Sequence, residues 1–136
     1  MQQDQITGYS EKLQIEKRYV TVTTKETLLE MVEAIEEASR ISLDTETTSL
    51  NPRKGKIIGF SITTKIGTGF YLPTLKWNNY TQKLEELLIE GKSTHNIAVR
   101  VMKMLKGKKL ICHNASFDLR YIKNYYGVSL IEDLWV

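Results

Sequence analysis

Two carboxylates stand one residue apart at the end of an apolar run, in the stretch LDTETTSLNP. Asp44 and Glu46 are separated by Thr45 alone. Because residues i and i+2 of a β-strand lie on one face, a strand here would place both carboxylates side by side. Like charges at that distance repel unless a cation lies between them, and carboxylate oxygens are the ligands that hard divalent cations prefer. The pair indicates either a metal site or, more simply, a solvated strand end.

A second pair of polar side chains lies in HNASFDLRYI, where Asn114 and Asp118 are four residues apart. The pattern predicts the start of a helix that follows a strand, and residues i and i+4 share a helix face. A purely structural interpretation is also open. Asn114 is a suitable N-cap, and Asp118 in the first turn complements the helix dipole.

Composition limits the class of protein. The 136 residues are 41% hydrophobic and 26% charged, with a net charge of +3, as in an ordinary globular domain. No apolar run is long enough to cross a membrane, and Met1 is not followed by a secretory signal. Cys112 is the only cysteine, which excludes an internal disulfide and a cysteine-based metal site. We therefore expect a cytoplasmic protein without membrane contact.

Hydrophobic periodicity predicts the elements that must position these residues. Thr23 and Glu26 are spaced as a capping box that opens a helix to about Ser39. Alternating apolar residues then predict three strands joined by short polar connections, which favours an antiparallel meander. The predicted strands cover residues 41–46, 56–64 and 68–73, preceded by a possible short strand at 19–22.

The second half of the chain alternates between helix and strand patterns. The predicted elements are helices over residues 81–90, 93–106 and 114–126, a fourth strand over 109–113 and a fifth over 128–136. A meander followed by strand–helix–strand implies an α/β fold with a mixed five-stranded sheet, the meander plus two parallel strands, flanked by helices.

The two motifs together resemble a known family. ISLDTETTSLNP and LICHNASFDLRYI are similar to the first two of three exonuclease motifs in the proofreading domain of family A, DNA polymerase I-like polymerases of bacterial or phage type. KIIGFSIT and GTGFYLP are similar to that domain's second and third strands. The resemblance covers residues 19–136 and leaves 1–18 as an arm or linker. It implies the ribonuclease H-like fold of the DEDD exonuclease superfamily.

The resemblance also implies a mechanism and roles for individual residues. Two divalent ions, Mg²⁺ or Mn²⁺, would act on the last phosphodiester at the 3′ end of single-stranded DNA. Asp44 would bridge both ions, Glu46 would hold the ion that activates water, and Asp118 would hold the second. The residues implied to contact the substrate strand are Thr47, Leu50, Asn114 and Phe117. For Leu50 and Phe117, core packing is the alternative.

The family's third motif has no counterpart in the sequence, which ends at IEDLWV. Glu132 and Asp133 are expected to be strand-edge or structural groups rather than ligands. We therefore expect an exonuclease domain truncated after its fifth strand, separated from the polymerase domain of its parent protein, and weak or inactive alone. Two alternatives stay open: a nucleic-acid or protein-binding module with a decayed site, and an RNA-trimming relative.

Cations dominate the chain between Lys92 and Gly127, where Asp118 is the only acid. Phosphate contacts and an ordinary soluble helical surface are both consistent with this bias. The cations are Lys92, Arg100, Lys103, Lys106, Lys108, Lys109, Arg120 and Lys123.

Overall fold

The structure is a computed structural model that describes residues 17–135. Most of the predicted N-terminal arm, residues 1–16, lies outside the described residues, as does Val136. Along the chain the described elements are β1 (Arg18–Thr21), α1 (Lys25–Glu37), β2 (Arg40–Thr47), β3 (Ile57–Thr63), β4 (Thr68–Pro73), β5 (Leu75–Asn78), β6 (Lys83–Glu86), β7 (Leu88–Ile89), β8 (Lys92–Ser93), α2 (Thr94–Met104), β9 (Lys109–Ile111), α3 (Ala115–Tyr126) and a 3₁₀ turn (Ile131–Asp133).

The main sheet has five strands in the order β1-β4-β3-β2-β9. β2, β3 and β4 form the predicted antiparallel meander, and β9 joins β2 in parallel. The predicted mixed α/β fold is therefore confirmed. One strand assignment was wrong: the fifth strand is β1, which pairs in parallel with β4. The segment 128–135 turns through a 3₁₀ helix, so only Leu134 bridges to the sheet, at Leu110.

The two faces of the sheet differ in chemistry. Along β2 the side chains of Ile41 and Leu43 are buried, whereas those of Ser42, Asp44 and Glu46 are exposed. The buried face shares one hydrophobic core with side chains from all three described α-helices. Alternation along β2 therefore packs one face under helices and leaves the polar face open to solvent.

The helix ends explain where the chain enters and leaves the sheet. The capping box that opens α1 joins Thr24 to Thr27 rather than Thr23 to Glu26. α3 follows Asn114 and ends at Gly127, whose φ of 74° is in the left-handed region that favours glycine.

None of the helices in residues 17–135 is both long and apolar enough to cross a membrane.

The helix predicted over residues 81–90 does not form. The chain instead makes two small hairpins, β5 with β6 and β7 with β8. Glu90 and Gly91 both have positive φ, 49° and 77°, as the turn of a two-residue hairpin requires. The leucine spacing was compatible with a helix, but this turn chemistry determines the local structure.

Candidate active site

The paired carboxylates lie together on the open face of the sheet, near the end of β2. Asp44 is opposite Ser61 of β3, and Glu46 is opposite Gly59. Both acidic side chains are exposed. The ladder shifts register between Glu46 and Thr47, so regular pairing ends directly after the second carboxylate. The strand thus presents two acceptor groups to solvent at a fixed spacing.

A tyrosine two strands away fixes the second carboxylate. Tyr71 of β4 donates a hydrogen bond of 2.8 Å from Oη to Oε2 of Glu46. Its ring crosses directly over Gly59, where an added Cβ would lie 2.2 Å from Oη. Burial, then the hydrogen bond to Glu46 and its charge, raises the pKa of Tyr71 to about 12, so the phenol stays a donor at neutral pH. No motif in the sequence marks Tyr71 as a site residue; only the alternation of TGFYLP, which turns it away from buried Phe70, indicates its face.

Asp118 reaches β2 from α3 and is buried, with 1% of its surface exposed. Its Oδ1 accepts hydrogen bonds from the backbone N of Thr45 at 3.2 Å and from Oγ1 of Thr45 at 2.6 Å. Its Oδ2 is buried without a hydrogen-bond partner in the described part of the chain. Burial raises the pKa of Asp118, the Thr45 hydrogen bonds oppose that shift, and the charge of Asp44 adds to it.

The three predicted metal ligands are neighbours but do not form one cluster. Thr45 is buried on the helix-covered face of β2, whereas Asp44 and Glu46 lie on the open face. Asp118 bonds to the backbone N and to Oγ1 of Thr45, so it meets β2 at the residue between the two exposed acids. Within residues 17–135 there is no group of three or more His, Cys, Asp or Glu side chains placed to hold a metal ion. The structure therefore pairs Asp44 with Glu46 and holds Asp118 against Thr45, the residue between them.

The loop after β2 carries the predicted substrate-contacting residue Leu50 into solvent. Its side chain is 88% exposed, so the core-packing alternative is wrong for this residue. The loop begins with a hydrogen bond of 3.1 Å from Oγ1 of Thr47 to the carbonyl of Ser49. Tyr121 of α3 donates from Oη to the carbonyls of Ser49 and Asn51, the latter at 3.2 Å. These contacts fix the backbone on both sides of Leu50.

The remaining predicted contacts lie at the start of α3. Asn114 occupies the N-cap position and is exposed, but its side chain makes no capping hydrogen bond; its carbonyl accepts from the N of Asp118 at 2.9 Å. Phe117 is half-buried, and its ring lies 5.2 Å from that of Tyr121. Phe117 therefore has a packing role whatever else it contacts, whereas the Asn114 amide is free of capping bonds.

Asp133 behaves as the structural group that was expected. It lies in the 3₁₀ turn, and its Oδ1 accepts a hydrogen bond of 2.8 Å from the backbone N of Gly107. This bond ties the turn to the segment that follows α2. Glu132 beside it is exposed.

Comparisons with known proteins identify the family and the fold. Residues 19–132 match the 3′–5′ exonuclease family. DNA polymerase I of Borreliella burgdorferi is 33% identical over 110 residues, which make up 79% of this chain and 11% of that polymerase. Among solved structures, the Trypanosoma brucei RNase D complex with RNA U12 superposes with a TM-score of 0.60 and 19% identity, over 90% of this chain and 38% of that one. The Aedes aegypti Nibbler EXO domain gives a TM-score of 0.51 and 10% identity, over 77% of this chain and 43% of that one. Both share the ribonuclease H-like fold.

Proposed function

Because this chain belongs to the 3′–5′ exonuclease family, we propose that it hydrolyses the last phosphodiester at the 3′ end of single-stranded DNA, as the proofreading part of a DNA polymerase I-like protein. The observation that carries the proposal is the placement of Asp44 and Glu46 side by side on the open face of β2. An exposed strand end with two adjacent carboxylates gains nothing in stability, because the charges repel. It does supply the oxygen ligands that a divalent cation requires.

The donor atoms fit Mg²⁺ or Mn²⁺ in kind. Asp44 and Glu46 offer carboxylate oxygens on the open face, and Asp118 retains one oxygen without a partner in the described part of the chain. We propose that Asp44 and Glu46 hold one ion and that Asp44 and Asp118, the latter directly or through water, hold a second. When bound, such ions stabilise charge on the attacking and leaving oxygens of a phosphodiester. The hydrogen bond from Tyr71 holds Glu46 in one orientation before any ion arrives.

The substrate strand would meet the chain beside these carboxylates. Leu50 is exposed on a loop whose backbone Tyr121 holds in place, so contact with a terminal base would not require that backbone to be ordered first. Thr47 lies directly after Glu46 at the register shift, and Asn114 presents an exposed amide at the start of α3. Phe117 borders the same end of the helix. These residues would place the 3′-terminal nucleotide.

The test is Mn²⁺-dependent shortening of a 5′-labelled single-stranded DNA, with protein in excess so that a slow single turnover is still detected. Glu46→Gln keeps the size of the side chain and removes its charge, and it serves as the matched control. We expect a ladder from the 3′ end that requires Mn²⁺ and is lost in Glu46→Gln. An RNA of the same sequence, run in parallel, reports which sugar the site accepts.

Two outcomes would contradict the proposal. DNA that binds but is not shortened, with equal affinity for wild type and Glu46→Gln, would favour the binding module with a decayed site. Shortening of RNA alone would favour the RNA-trimming alternative.

A further inference from the structure

A basic cleft lies beside the proposed active site and has no role in the chemistry described above. It has a volume of about 780 Å³ and runs between the loop after β2 and the outer surface of α3. Asn51, Pro52 and Arg53 form a loop wall, and Arg120, Lys123 and Asn124 lie on a helix wall. The segment 129–131 closes a third side. Within the described part of the chain, no carboxylate lines it.

The cations of the cleft are available to a ligand. Arg53, Arg120 and Lys123 are exposed, and none of them forms an ion pair within residues 17–135. Three unpaired like charges around one concave surface repel one another and raise the local concentration of anions. The cleft is therefore suited to an anionic partner.

The loop wall and the helix wall are fixed relative to each other. Tyr121, on the same helix as Arg120 and Lys123, donates hydrogen bonds to the backbone of the opposite loop at Ser49 and Asn51. Gly55 closes that loop against the same hydroxyl: an added Cβ would lie 1.8 Å from Tyr121 Oη. A ligand entering this cleft would meet charges that are already positioned, which lowers the entropy cost of binding.

The cleft begins next in the chain to two residues proposed to contact the 3′-terminal nucleotide. Its loop wall begins directly after Leu50, and its helix wall begins at Ala115, directly after Asn114. From Ala115 to Asn124 the helix rises about 14 Å, which is long enough to follow more than one nucleotide. Asp118 lies on the buried side of the same helix, so the carboxylate and the cations do not neutralise each other.

We propose that this cleft binds backbone phosphates of the single strand that leads away from the 3′-terminal nucleotide. This inference rests on the proposed function, because it assigns the path of the same substrate. The cations contact phosphate rather than bases, so the cleft holds the strand without regard to sequence. Its contribution to affinity falls as salt rises, because binding releases counterions.

The experiment measures binding of a fluorescein-labelled oligothymidylate by anisotropy in EDTA, across a salt series, so that cleavage plays no part. The test variant is the double change Arg120→Gln with Lys123→Gln. The matched control is Arg100→Gln with Lys103→Gln, which removes the same two residue types at the same spacing from the surface of α2. Thermal melts establish that both double variants are folded.

Each lost phosphate contact should reduce the slope of log affinity against log salt by about 0.7, so two contacts should reduce it by about 1.4. That corresponds to an affinity loss of about 25-fold at about 0.1 M salt, vanishing towards about 1 M. The control pair should change neither quantity. Arg53→Gln, on the opposite wall, should add a further reduction in slope of about 0.7.

The proposal is overturned if the test variant binds like wild type, if both double variants lose affinity equally, or if wild type itself shows no binding. These results are separate from the fate of the catalytic proposal. Loss of the ladder in Glu46→Gln tests the carboxylates and does not depend on the cleft, whereas the binding series in EDTA does not depend on cleavage.

Discussion

Replacing Asp118 by asparagine should stabilise the fold when no divalent metal is present. The carboxylate is 1% exposed, and its Oδ2 has no hydrogen-bond partner in the described part of the chain. Asparagine has the same shape and keeps one carbonyl oxygen for the two hydrogen bonds from Thr45. It carries no charge, so the largest cost of burial is removed.

The size of the effect follows from the unpaired oxygen. A buried polar group without a partner costs about 1–3 kcal/mol, and more when it is charged. The asparagine Nδ2 would also lack a partner, so only the part due to charge is recovered, about 1–2 kcal/mol in free energy of unfolding. For 136 residues, an unfolding entropy of about 2.1 cal/mol/K per residue converts this to a rise in Tm of about 4–7 °C.

The difference in stability between Asp118→Asn and wild type should depend on pH. Burial raises the pKa of Asp118 in the folded state above its ordinary value of 3.8, which the unfolded state keeps. At a pH between the ordinary and the raised pKa, the folded state therefore binds more protons than the unfolded state. At a pH below the ordinary pKa, Asp118 of the folded wild type is protonated and no charge is buried. As the pH rises through the raised pKa, the wild type incurs the full cost of burying that charge. The advantage of Asp118→Asn should be full at neutral pH and should shrink as the solution is acidified.

Thermal denaturation followed by circular dichroism in EDTA, at several pH values, measures this difference. Asp44→Asn is the control, because it removes the same charge from an exposed position and should change Tm only slightly. A variant at Asp118 that is less stable than wild type at neutral pH would refute the reasoning. It would mean that the Thr45 hydrogen bonds require the charged acceptor more than burial opposes it.

Three further predictions concern the neighbouring residues. Tyr71→Phe removes the hydrogen bond to Glu46 and should raise the Mn²⁺ concentration needed for half-maximal shortening of DNA by about tenfold, the equivalent of a bond to a charged group worth about 1.5 kcal/mol; unchanged Mn²⁺ dependence in a titration would contradict it. Gly55→Ala should destabilise the protein by about 1–3 kcal/mol, because the new Cβ would lie 1.8 Å from Tyr121 Oη. Urea unfolding should show that most of this loss disappears in a Tyr121→Phe background, and an equal loss in both backgrounds would exclude the clash. Leu50→Ala should change stability by less than about 0.5 kcal/mol, because the side chain is 88% exposed, while weakening 3′-end binding in the anisotropy assay; a large loss of stability would show that the loop packs differently.

The parts of the fold that the sequence predicted are those in which local pattern and tertiary packing agree. β2 alternates between buried and polar residues, so its faces and the pairing of Asp44 with Glu46 follow from the period of a strand alone. The end of α3 follows similarly from Gly127, whose positive φ favours glycine.

The failed prediction over residues 81–90 has a different cause. Leu84, Leu87 and Leu88 are spaced as in a helix, but the segment is divided between two hairpins. Gly91 was the sequence signal for the second hairpin, because the structure has positive φ at both Glu90 and Gly91 and glycine adopts that conformation readily. Short amphipathic stretches of this kind satisfy either period, and the turn residues then decide between them.

Long-range contacts could not be predicted from the local pattern. The bond from Tyr71 to Glu46 spans 25 residues of sequence and depends on the register of two ladders and on a glycine between them. The contact of Asp118 with Thr45 spans 73 residues. No local period encodes such distances, so the sequence indicated which residues were chemically capable but not which residue each would contact.

The placement of three acids around Thr45 gives the site its character. An unpaired buried oxygen is not sufficient evidence of function, since Asp133 also has one and serves to hold a turn. Asp118 differs because its pKa is raised in part by the charge of Asp44, which places a second acid within electrostatic reach. β2 carries two exposed acids, one of them bound to Tyr71, and the buried acid Asp118 of α3 is held against the residue between them. The resulting repulsion and desolvation would not be retained for core packing alone. The arrangement is explained if positive charge is brought to it, and divalent cations are the ligands that would convert these unfavourable contacts into binding energy.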